Sequence, residues 1–186
     1  LELPQEWLRV RRAQLQNTHR VGDALPQIRV DIGPVALAAF LGAPLHFALK
    51  EQTAWQDPVI ESWEADNPYV IDPANAHFCR VLEFLELVAE DARGRYLVCL
   101  PDLSGAIDAL ANLRGSQRLC LDLFDNRTQI RGAAAQVVDA WEFAFASVYA
   151  AVVERGAGLT QFVSCWSESP FTVPTCDFNA LVSPDD

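Results

Sequence analysis

Two kinds of hydrophobic pattern alternate along this chain, one with helical spacing and one typical of short strands. The clearest helical pattern covers residues 75–92. Its apolar side chains Phe78, Val81 and Leu85 recur at i, i+3 and i+7, as on one face of an amphipathic helix. Comparable spacing predicts helices over residues 4–20, 35–41, 106–113, 116–124 and 128–154. Alternating or uniformly apolar runs predict strands over residues 28–32, 45–49, 69–71, 96–100 and 159–165.

The order of these elements is typical of an α/β protein. Strand, loop, long helix and strand follow one another, while residues 50–68 form a long irregular loop. This order predicts a parallel sheet, in which ligands bind at the loops that follow the carboxyl ends of the strands. Those loops span residues 31–34, 72–77, 101–105 and 166–180.

The balance of charges limits the partners that we expect. The chain has 186 residues, 51% of them hydrophobic, and its 25 acidic and 14 basic residues give a net charge of −11. A general binder of nucleic acids or anionic membranes needs a basic surface, so neither partner is expected. The uncharged stretches end well short of the ~20 apolar residues that a membrane-spanning helix needs, so no such segment is expected either.

Cysteine usage indicates the redox environment. Five cysteines, at positions 79, 99, 120, 165 and 176, form no CxxC pair, and three of them lie in apolar runs. This pattern is typical of reduced, buried thiols in a cytoplasmic protein, and it does not favour a structural zinc site. His77 and Cys79 form a His-x-Cys pair, but side chains two residues apart on a helix point about 200° apart. A helix-side thiol and a first-turn polar residue are therefore the favoured interpretation.

Polar residues that follow two of the predicted strands are candidates for catalysis. Asp102 precedes Ser104 and Gly105, whose backbone amides open a helix, and such a position suits an anion or a polar substrate group. A role of Asp102 as a helix cap is equally compatible with the sequence. Asp177 follows a long loop and is a candidate general acid or base if burial tunes its pKa, with an ordinary turn or capping role as the alternative.

Further residues are candidates for substrate binding. Asp31 lies in the alternating first strand and shares a face with Arg29, so it points into a barrel mouth or forms an internal ion pair with that arginine. Trp55 and Trp166 lie in loops and suit a pocket for a flat or methylated ligand, although loop tryptophans also cover cores. Arg114 lies a full helix away from the preceding strand, and we expect it to pair with an acid in the outer helix layer.

Three stretches resemble a known superfamily. The segment PDLSGAIDALANLRGSQRLCLDLFDN (101–126) resembles uroporphyrinogen decarboxylase superfamily members, which carry a strand, a P-x-x-G-P/A loop, a helix closing on Leu-Arg-Gly, and a short piece ending in Asp. Residues 176–184 resemble a second stretch of that superfamily. The piece RVDIGPVALAAFLGA (29–43) resembles the first barrel unit of its cobalamin-associated branch. The resemblance covers most of residues 25–186.

The resemblance implies a fold and a domain organisation. Superfamily members are (β/α)8 TIM barrels, roughly twice as long as this chain. Residues 1–24 would be an N-terminal helical segment, and residues 25–186 would be about the N-terminal half of the barrel, in a single domain that continues beyond the C-terminus. Independently, the sequence Ser-Pro-Asp-Asp at 183–186 has the cap, proline and acids typical of a helix start.

The resemblance also implies an enzyme. In the branch that it favours, methyl groups move between a corrinoid partner protein and a thiol, with zinc held by a His-x-Cys pair and a distant Cys in the C-terminal half. The alternative is a decarboxylase of uroporphyrinogen or a related tetrapyrrole carboxylate. The Arg-Gln-Ala-Gly-Arg-Tyr stretch whose arginines hold carboxylates in true decarboxylases does not occur in residues 1–186. A third reading is a barrel without catalysis that binds a corrinoid protein or a small molecule.

Overall fold

A computed structural model describes residues 3–48, 50, 53–65, 67, 69–163 and 165–183. Within these residues the chain is a mixed α/β protein, as predicted. The helices are α1 (Pro4–Gln16), α2 (Ala36–Phe40), α3 (Ala76–Ala92), α4 (Ala106–Arg114), α5 (Ser116–Asp125) and α6 (Arg127–Val153), followed by a 3-10 helix (Asp177–Leu181). The strands are β1 (Gln27–Arg29), β2 (Leu45–Ala48), β3 (Thr53–Gln56), β4 (Leu97–Cys99) and β5 (Leu159–Thr160).

The parallel sheet consists of β1, β4 and β5 in that spatial order. Gln27 lies opposite Leu97 in the first ladder, and Val98 lies opposite Leu159 in the second. Helices occupy both crossovers along the chain, α2 and α3 in the first and α4 to α6 in the second. The prediction of a parallel sheet with helical crossovers is therefore confirmed for these three strands, which are shorter than the apolar runs that predict them.

The remaining strands form an antiparallel hairpin, which corrects the sequence interpretation. Strand β2 falls where it is expected, but β3 lies inside the stretch 50–68 that is predicted to be irregular. The predicted strand at 69–71 is wrong, because these residues form no ladder with any described part of the chain and the side chain of Val70 is 83% exposed. Three β-prone residues do not make a strand where no neighbouring strand offers hydrogen bonds.

The chain divides into two compact units. The first comprises residues 1–31, 79–101 and 146–173 and contains the parallel sheet with α1. The second comprises residues 32–78, 102–145 and 174–186 and contains the hairpin with α2, α4 and α5. Helices α3 and α6 contribute residues to both units. The predicted helix start at 183–186 lies outside the described residues, apart from Ser183, which is not helical.

Local signals place the helix starts correctly. The Oδ1 atom of Asn75 accepts hydrogen bonds from the backbone amides of His77, at 2.9 Å, and Phe78, at 3.0 Å. Asn75 is therefore the N-cap of α3, as predicted.

In the first unit, the buried carboxylate of Asp91, near the end of α3, accepts hydrogen bonds from the side chains of Arg12, Arg95 and Tyr96. The contact with Arg12 anchors α1.

Helix α6 is the longest element, with 27 residues. By length and composition alone it is apolar enough to cross a membrane. The helix meets this length and composition criterion although its uncharged stretches are short, because Asp139 and Glu142 are the only charged residues in its central part. A core helix of a water-soluble protein passes the same criterion, so the finding is weak evidence for a membrane span.

Candidate functional site

A buried carboxylate organises the start of α4. Asp108 lies in the first turn of this helix and is only 5% exposed. Its Oδ2 atom accepts hydrogen bonds from the Ser104 hydroxyl, at 2.8 Å, and the Asp177 backbone amide, at 3.0 Å, and its Oδ1 atom accepts one from the Phe178 amide at 2.9 Å. We call Ser104, Asp108, Thr175, Asp177 and Phe178 the Asp108 cluster. A carboxylate in the first turn is also stabilised by the helix dipole.

The loop before α4 lies very close to the backbone of the segment around Thr175. Ser104 has a φ of +56°, a left-handed conformation that a non-glycine residue adopts only where surrounding contacts hold it. At Gly105, an added Cβ atom would lie 2.4 Å from the carbonyl oxygen of Thr175. Glycine is therefore required at position 105 because the backbone of the following segment passes over it.

Hydrogen-bond accounting assigns the donors around Ser104. Its hydroxyl has one proton, which it donates to Asp108, so the Thr175 hydroxyl at 3.1 Å must donate to Ser104. The backbone amide of Ser104 donates to Asp102, and its carbonyl accepts the indole N–H of Trp141 at 2.9 Å. A strained serine between a strand and a helix resembles a nucleophile elbow. Here the hydroxyl is buried and donates to the Asp108 carboxylate, and it hydrogen-bonds no histidine among the described residues, so it lacks the histidine partner that such an elbow provides.

The two predicted catalytic carboxylates belong to this same region. The Oδ1 atom of Asp102 accepts the Ser104 amide at 2.8 Å, and its backbone carbonyl accepts the Ala36 amide at 2.9 Å. Asp177 reaches the cluster through its backbone amide, while its carboxylate is exposed and contacts no partner among the described residues. The structure therefore brings Asp102, Ser104, Gly105 and Asp177 together, as expected for loops at strand ends. It gives Asp102 a local turn-stabilising role.

The two predicted pocket tryptophans do not join this cluster. Trp55 lies on the hairpin, 49% exposed, and stacks on His46 with ring centroids 5.3 Å apart. The Nε2 atom of that histidine lies 2.6 Å from Asp57. Trp166 belongs to the first unit and is 55% exposed. Neither tryptophan lines an enclosed pocket by these exposures, and their proposed role in ligand binding stays a prediction.

The Leu-Arg-Gly sequence that ends α4 fastens a loop. The Leu113 carbonyl accepts the amides of Val59 and Ile60, both at 2.8 Å. The Arg114 side chain donates to the carbonyls of Ile60, at 3.0 Å, and Glu61, at 2.7 Å. Gly115 has a φ of +88°, a backbone conformation that favours glycine, although a Cβ there would meet Pro58 only at an ordinary contact distance of 3.4 Å.

The prediction that Arg114 pairs with an acid of the helix layer is confirmed. Its Nε atom lies 2.6 Å from Asp122 of α5, and both side chains are 12% exposed. The guanidinium also lies over the ring of Trp63, 5.3 Å from its centroid. Burial by itself raises the pKa of Asp122, but the hydrogen bond and the charge of Arg114 outweigh burial, so this pKa lies below its ordinary value.

A second polar group lies in the first unit, on one face of the parallel sheet. Arg29, Cys99 and Thr160 are register partners across β1, β4 and β5, so their side chains share a face. Asp31, two residues after Arg29, pairs with it at 2.6 Å, and the guanidinium lies 5.8 Å from the Phe162 ring centroid. The sequence left open whether Asp31 meets a ligand or Arg29, and the structure shows the ion pair.

All five cysteines lie in the described part of the chain, where they form no disulfide, and only Cys99 is buried. Burial raises the pKa of the Cys99 thiol to about 11, against a smaller opposing effect of the Arg29 charge. Cys79 and Cys165 are exposed, because they lie on the outer side of a helix and in a loop. A buried thiol with so high a pKa is protonated at neutral pH and is a poor nucleophile.

The described residues do not fit a zinc ion. Among them, no group of three or more His, Cys, Asp or Glu side chains could hold a metal. His77 lies half-buried in the first turn of α3 and Cys79 is exposed on the same helix, where side chains two residues apart diverge. No step proposed below uses a metal ion held by these residues.

Sequence reasoning did not single out Asp108 or Thr175. Asp108 stands in the apolar run AIDALANL, where a lone acid is either exposed or hydrogen-bonded, and periodicity alone does not separate these cases. Its position on the buried side, one turn before Ala111, is the available signal. Thr175 carries no local signal, because its contact with Ser104 spans 71 residues of sequence.

Comparison with protein-family models, with curated proteins and with solved structures finds no match to this chain.

Proposed function

We propose that this chain is part of a (β/α)8-barrel enzyme similar to the uroporphyrinogen decarboxylase superfamily, in the branch that transfers methyl groups with a corrinoid partner. The observation that carries the proposal is the sheet. Its three parallel strands lie side by side in the order in which they occur along the chain, and both crossovers contain helices, as in the repeating unit of such barrels. The first crossover also contains the β2–β3 hairpin. The segment 101–126 also has the loop and the helix ending on Leu-Arg-Gly on which the resemblance rests.

The ranking of methyl transfer above decarboxylation is supported by the N-terminal arginines. Arg9 pairs with Glu6 at 2.5 Å, and Arg12 binds the buried carboxylate of Asp91 at 2.7 Å. Arginines that are engaged in this way do not form the paired carboxylate site that a uroporphyrinogen needs. A cytoplasmic location is part of the same proposal, and cysteines that form no disulfide among the described residues are compatible with it.

Methyl transfer is tested most directly with methylcobalamin as the methyl donor. A thiolate attacks the methyl carbon, the cobalt–carbon bond breaks heterolytically, and the electron pair remains on cobalt as cob(I)alamin. We expect the protein, purified in its natural length and assayed without oxygen, to convert methylcobalamin and 2-mercaptoethanol to cob(I)alamin and the methyl thioether. The measurement is the change in the corrin absorption spectrum together with mass spectrometry of the thioether. Elemental analysis of the same sample gives its metal content.

The decarboxylase alternative makes the opposite prediction. Anaerobic incubation with uroporphyrinogen should give no coproporphyrinogen and no carbon dioxide. Formation of coproporphyrinogen, followed by chromatography of the oxidised porphyrins, would reverse the ranking.

A barrel that binds without catalysis is favoured by one observation. Ser104 and Asp108 donate and accept their hydrogen bonds within the protein, so these groups hold structure together rather than face a substrate. On this reading methylcobalamin binds in equilibrium dialysis and is not demethylated. That result would replace the enzymatic proposal.

A further inference from the structure

Arg29 occupies the place in the parallel sheet where ligands are expected. It is the last residue of β1, so it lies at the carboxyl edge of the strands β1, β4 and β5. In parallel sheets covered by helices, ligands bind outside the carboxyl ends of the strands. Its side chain is 42% exposed, in contrast to its register partners Cys99 and Thr160, which are fully buried.

The hydrogen-bonding capacity of Arg29 is largely unused. A guanidinium has five N–H donors in a fixed planar fork. Among the residues that the structure describes, Arg29 contacts the Asp31 carboxylate through Nη2, at 2.6 Å, and the face of Phe162. Its Nε and Nη1 atoms donate to no acceptor in that part of the chain. In the same unit, Arg12 and Arg95 both converge on the buried Asp91.

The contacts of Arg29 fix its orientation. The Asp31 carboxylate holds one end of the fork, and the Phe162 ring lies against the guanidinium, 5.8 Å from it. The segment that carries Phe162 is held in turn, because the neighbouring Gln161 is buried and donates to the Phe171 carbonyl at 2.8 Å. A guanidinium that is oriented in advance loses less conformational entropy when it binds.

The local charge limits what such a group recognises. Arg29 and Asp31 together are neutral. The buried, uncharged side chains of Cys99 and Thr160 lie beside Arg29 on the same face of the sheet. A polyanion would be repelled by Asp31 and by the net charge of −11. A single oxyanion that forms two parallel hydrogen bonds with the open edge of the fork fits this arrangement.

We propose that Arg29 forms a subsite for one carboxylate or phosphate group of a small-molecule ligand, and that Asp31 positions the guanidinium and competes with that group. The inference deepens the proposed function, since it rests on that function for the view that this edge faces the substrate. The anion-binding step itself stands on the contacts of Arg29.

The experiment titrates the full-length protein with acetate and, separately, with inorganic phosphate, at constant ionic strength. The readout is the Nε–Hε cross-peak of each arginine in a nitrogen-15 NMR spectrum. We expect a saturable shift of the Arg29 peak with a dissociation constant in the millimolar range. A response to acetate alone assigns a carboxylate, a response to phosphate alone assigns a phosphate, and a response to both assigns a general oxyanion site.

Three variants and one matched control make the result specific. Arg29→Gln should abolish the saturable binding, and Arg29→Lys, which keeps the charge without the fork, should weaken it about tenfold. Asp31→Asn should tighten it about three- to tenfold, because a competing negative charge is removed. Arg93→Lys is the matched control, since Arg93 is exposed in the same unit and has no partner among the described residues.

The proposal is overturned if neither anion shifts the Arg29 peak saturably, or if Arg29→Lys binds as well as the unchanged protein. It is also overturned if the Arg93 peak responds equally, because that result indicates general surface binding. None of these readouts involves methyl transfer. Saturable binding without demethylation would therefore retain this inference and remove the proposed function, and demethylation without anion binding would do the reverse.

Discussion

Arg114 and Arg29 have similar partners but different surroundings. Each pairs with an aspartate at 2.6 Å and lies over an aromatic ring. Arg114 also donates to two backbone carbonyls and is 12% exposed, whereas Arg29 makes no backbone hydrogen bond among the described residues and is 42% exposed. Arg114, with four of its five N–H donors in hydrogen bonds, holds segments of chain together, while an arginine with an open edge at the end of a strand is available to a ligand. The number of unused donors separates these two roles better than the residue type does.

The largest effect is expected for Arg114, the arginine with fewer unused hydrogen-bond donors. Arg114→Ala removes four hydrogen bonds and leaves the carboxylate of Asp122 shielded from water without its partner, which should lower the free energy of unfolding by about 3–5 kcal/mol. Urea denaturation of the full-length protein measures it. The matched control is Arg118→Ala, whose exposed pair with Glu61 at 3.2 Å should cost less than about 1 kcal/mol. Equal losses for both variants would refute a special role of Arg114.

Asp108 is a carboxylate that, like the Arg114 guanidinium, forms its hydrogen bonds within the protein. Asp108→Asn places an amide N–H₂ against a backbone N–H donor and should lower the free energy of unfolding by about 2–3 kcal/mol. Segment 174–183 should also be cleaved faster by protease, since the hydrogen bonds to Asp177 and Phe178 hold it. Asp177→Asn, which changes an exposed carboxylate, should stay within about 0.5 kcal/mol. Unchanged protease sensitivity in Asp108→Asn would show that other contacts hold the segment.

The burial of Cys99 beside Arg29 is tested by the pH dependence of the free energy of unfolding. Folding raises the thiol pKa from an ordinary value near 9 to about 11, so above pH 9 the unfolded chain loses this proton before the folded one does. Stability is therefore retained below pH 9 and lost as the pH rises toward 11, by about 2 kcal/mol from this group. Urea midpoints compared between the unchanged protein and Cys99→Ala isolate the contribution. The same slope in both proteins would mean that water reaches the thiol.

The smallest of these effects concerns two glycines. Gly105→Ala places a methyl group 2.4 Å from the Thr175 carbonyl and should cost about 1–2 kcal/mol, since the backbone over it has to shift. Gly132→Ala, in the second turn of α6 with no atom outside the backbone of that helix within 4 Å, should stabilise the protein by about 0.5–1 kcal/mol. Thermal unfolding of the two variants should therefore shift in opposite directions. A stabilising Gly105→Ala would show that the segment over α4 is loosely held.

The helices could be predicted because their information is local. Apolar spacing and the Asn75 cap place α3 to within a residue, and Arg114-Gly115 marks the break between α4 and α5. The strands could be predicted less well, because a strand depends on its partner. Residues 69–71 have β-prone side chains but no partner strand among the described residues, whereas β3 (Thr53–Gln56), with polar residues at both ends, pairs with β2.

The candidate site was predictable only in part, because some of its residues are grouped by strand geometry and others by contacts between distant positions. Parallel-strand geometry groups Asp102, Ser104 and Gly105 with the distant Asp177, and the structure brings them together. The anchor Asp108 and its partner Thr175 were not predictable, because their hydrogen bonds join residues about 70 positions apart. The Arg29–Asp31 pair was one of two alternatives that alternation in a strand allows, and only the coordinates of both side chains decide between them.

The register of the parallel sheet has a consequence for the order of folding. Gln27 meets Leu97 and Val98 meets Leu159, so each ladder closes a loop of about 60 to 70 residues. The β2–β3 hairpin closes only a few residues. Closing the longer loops costs about 2–3 kcal/mol more in chain entropy, which the short strands cannot offset by themselves. The hairpin and helices should therefore form first, and the sheet should appear last, as the slow step of folding.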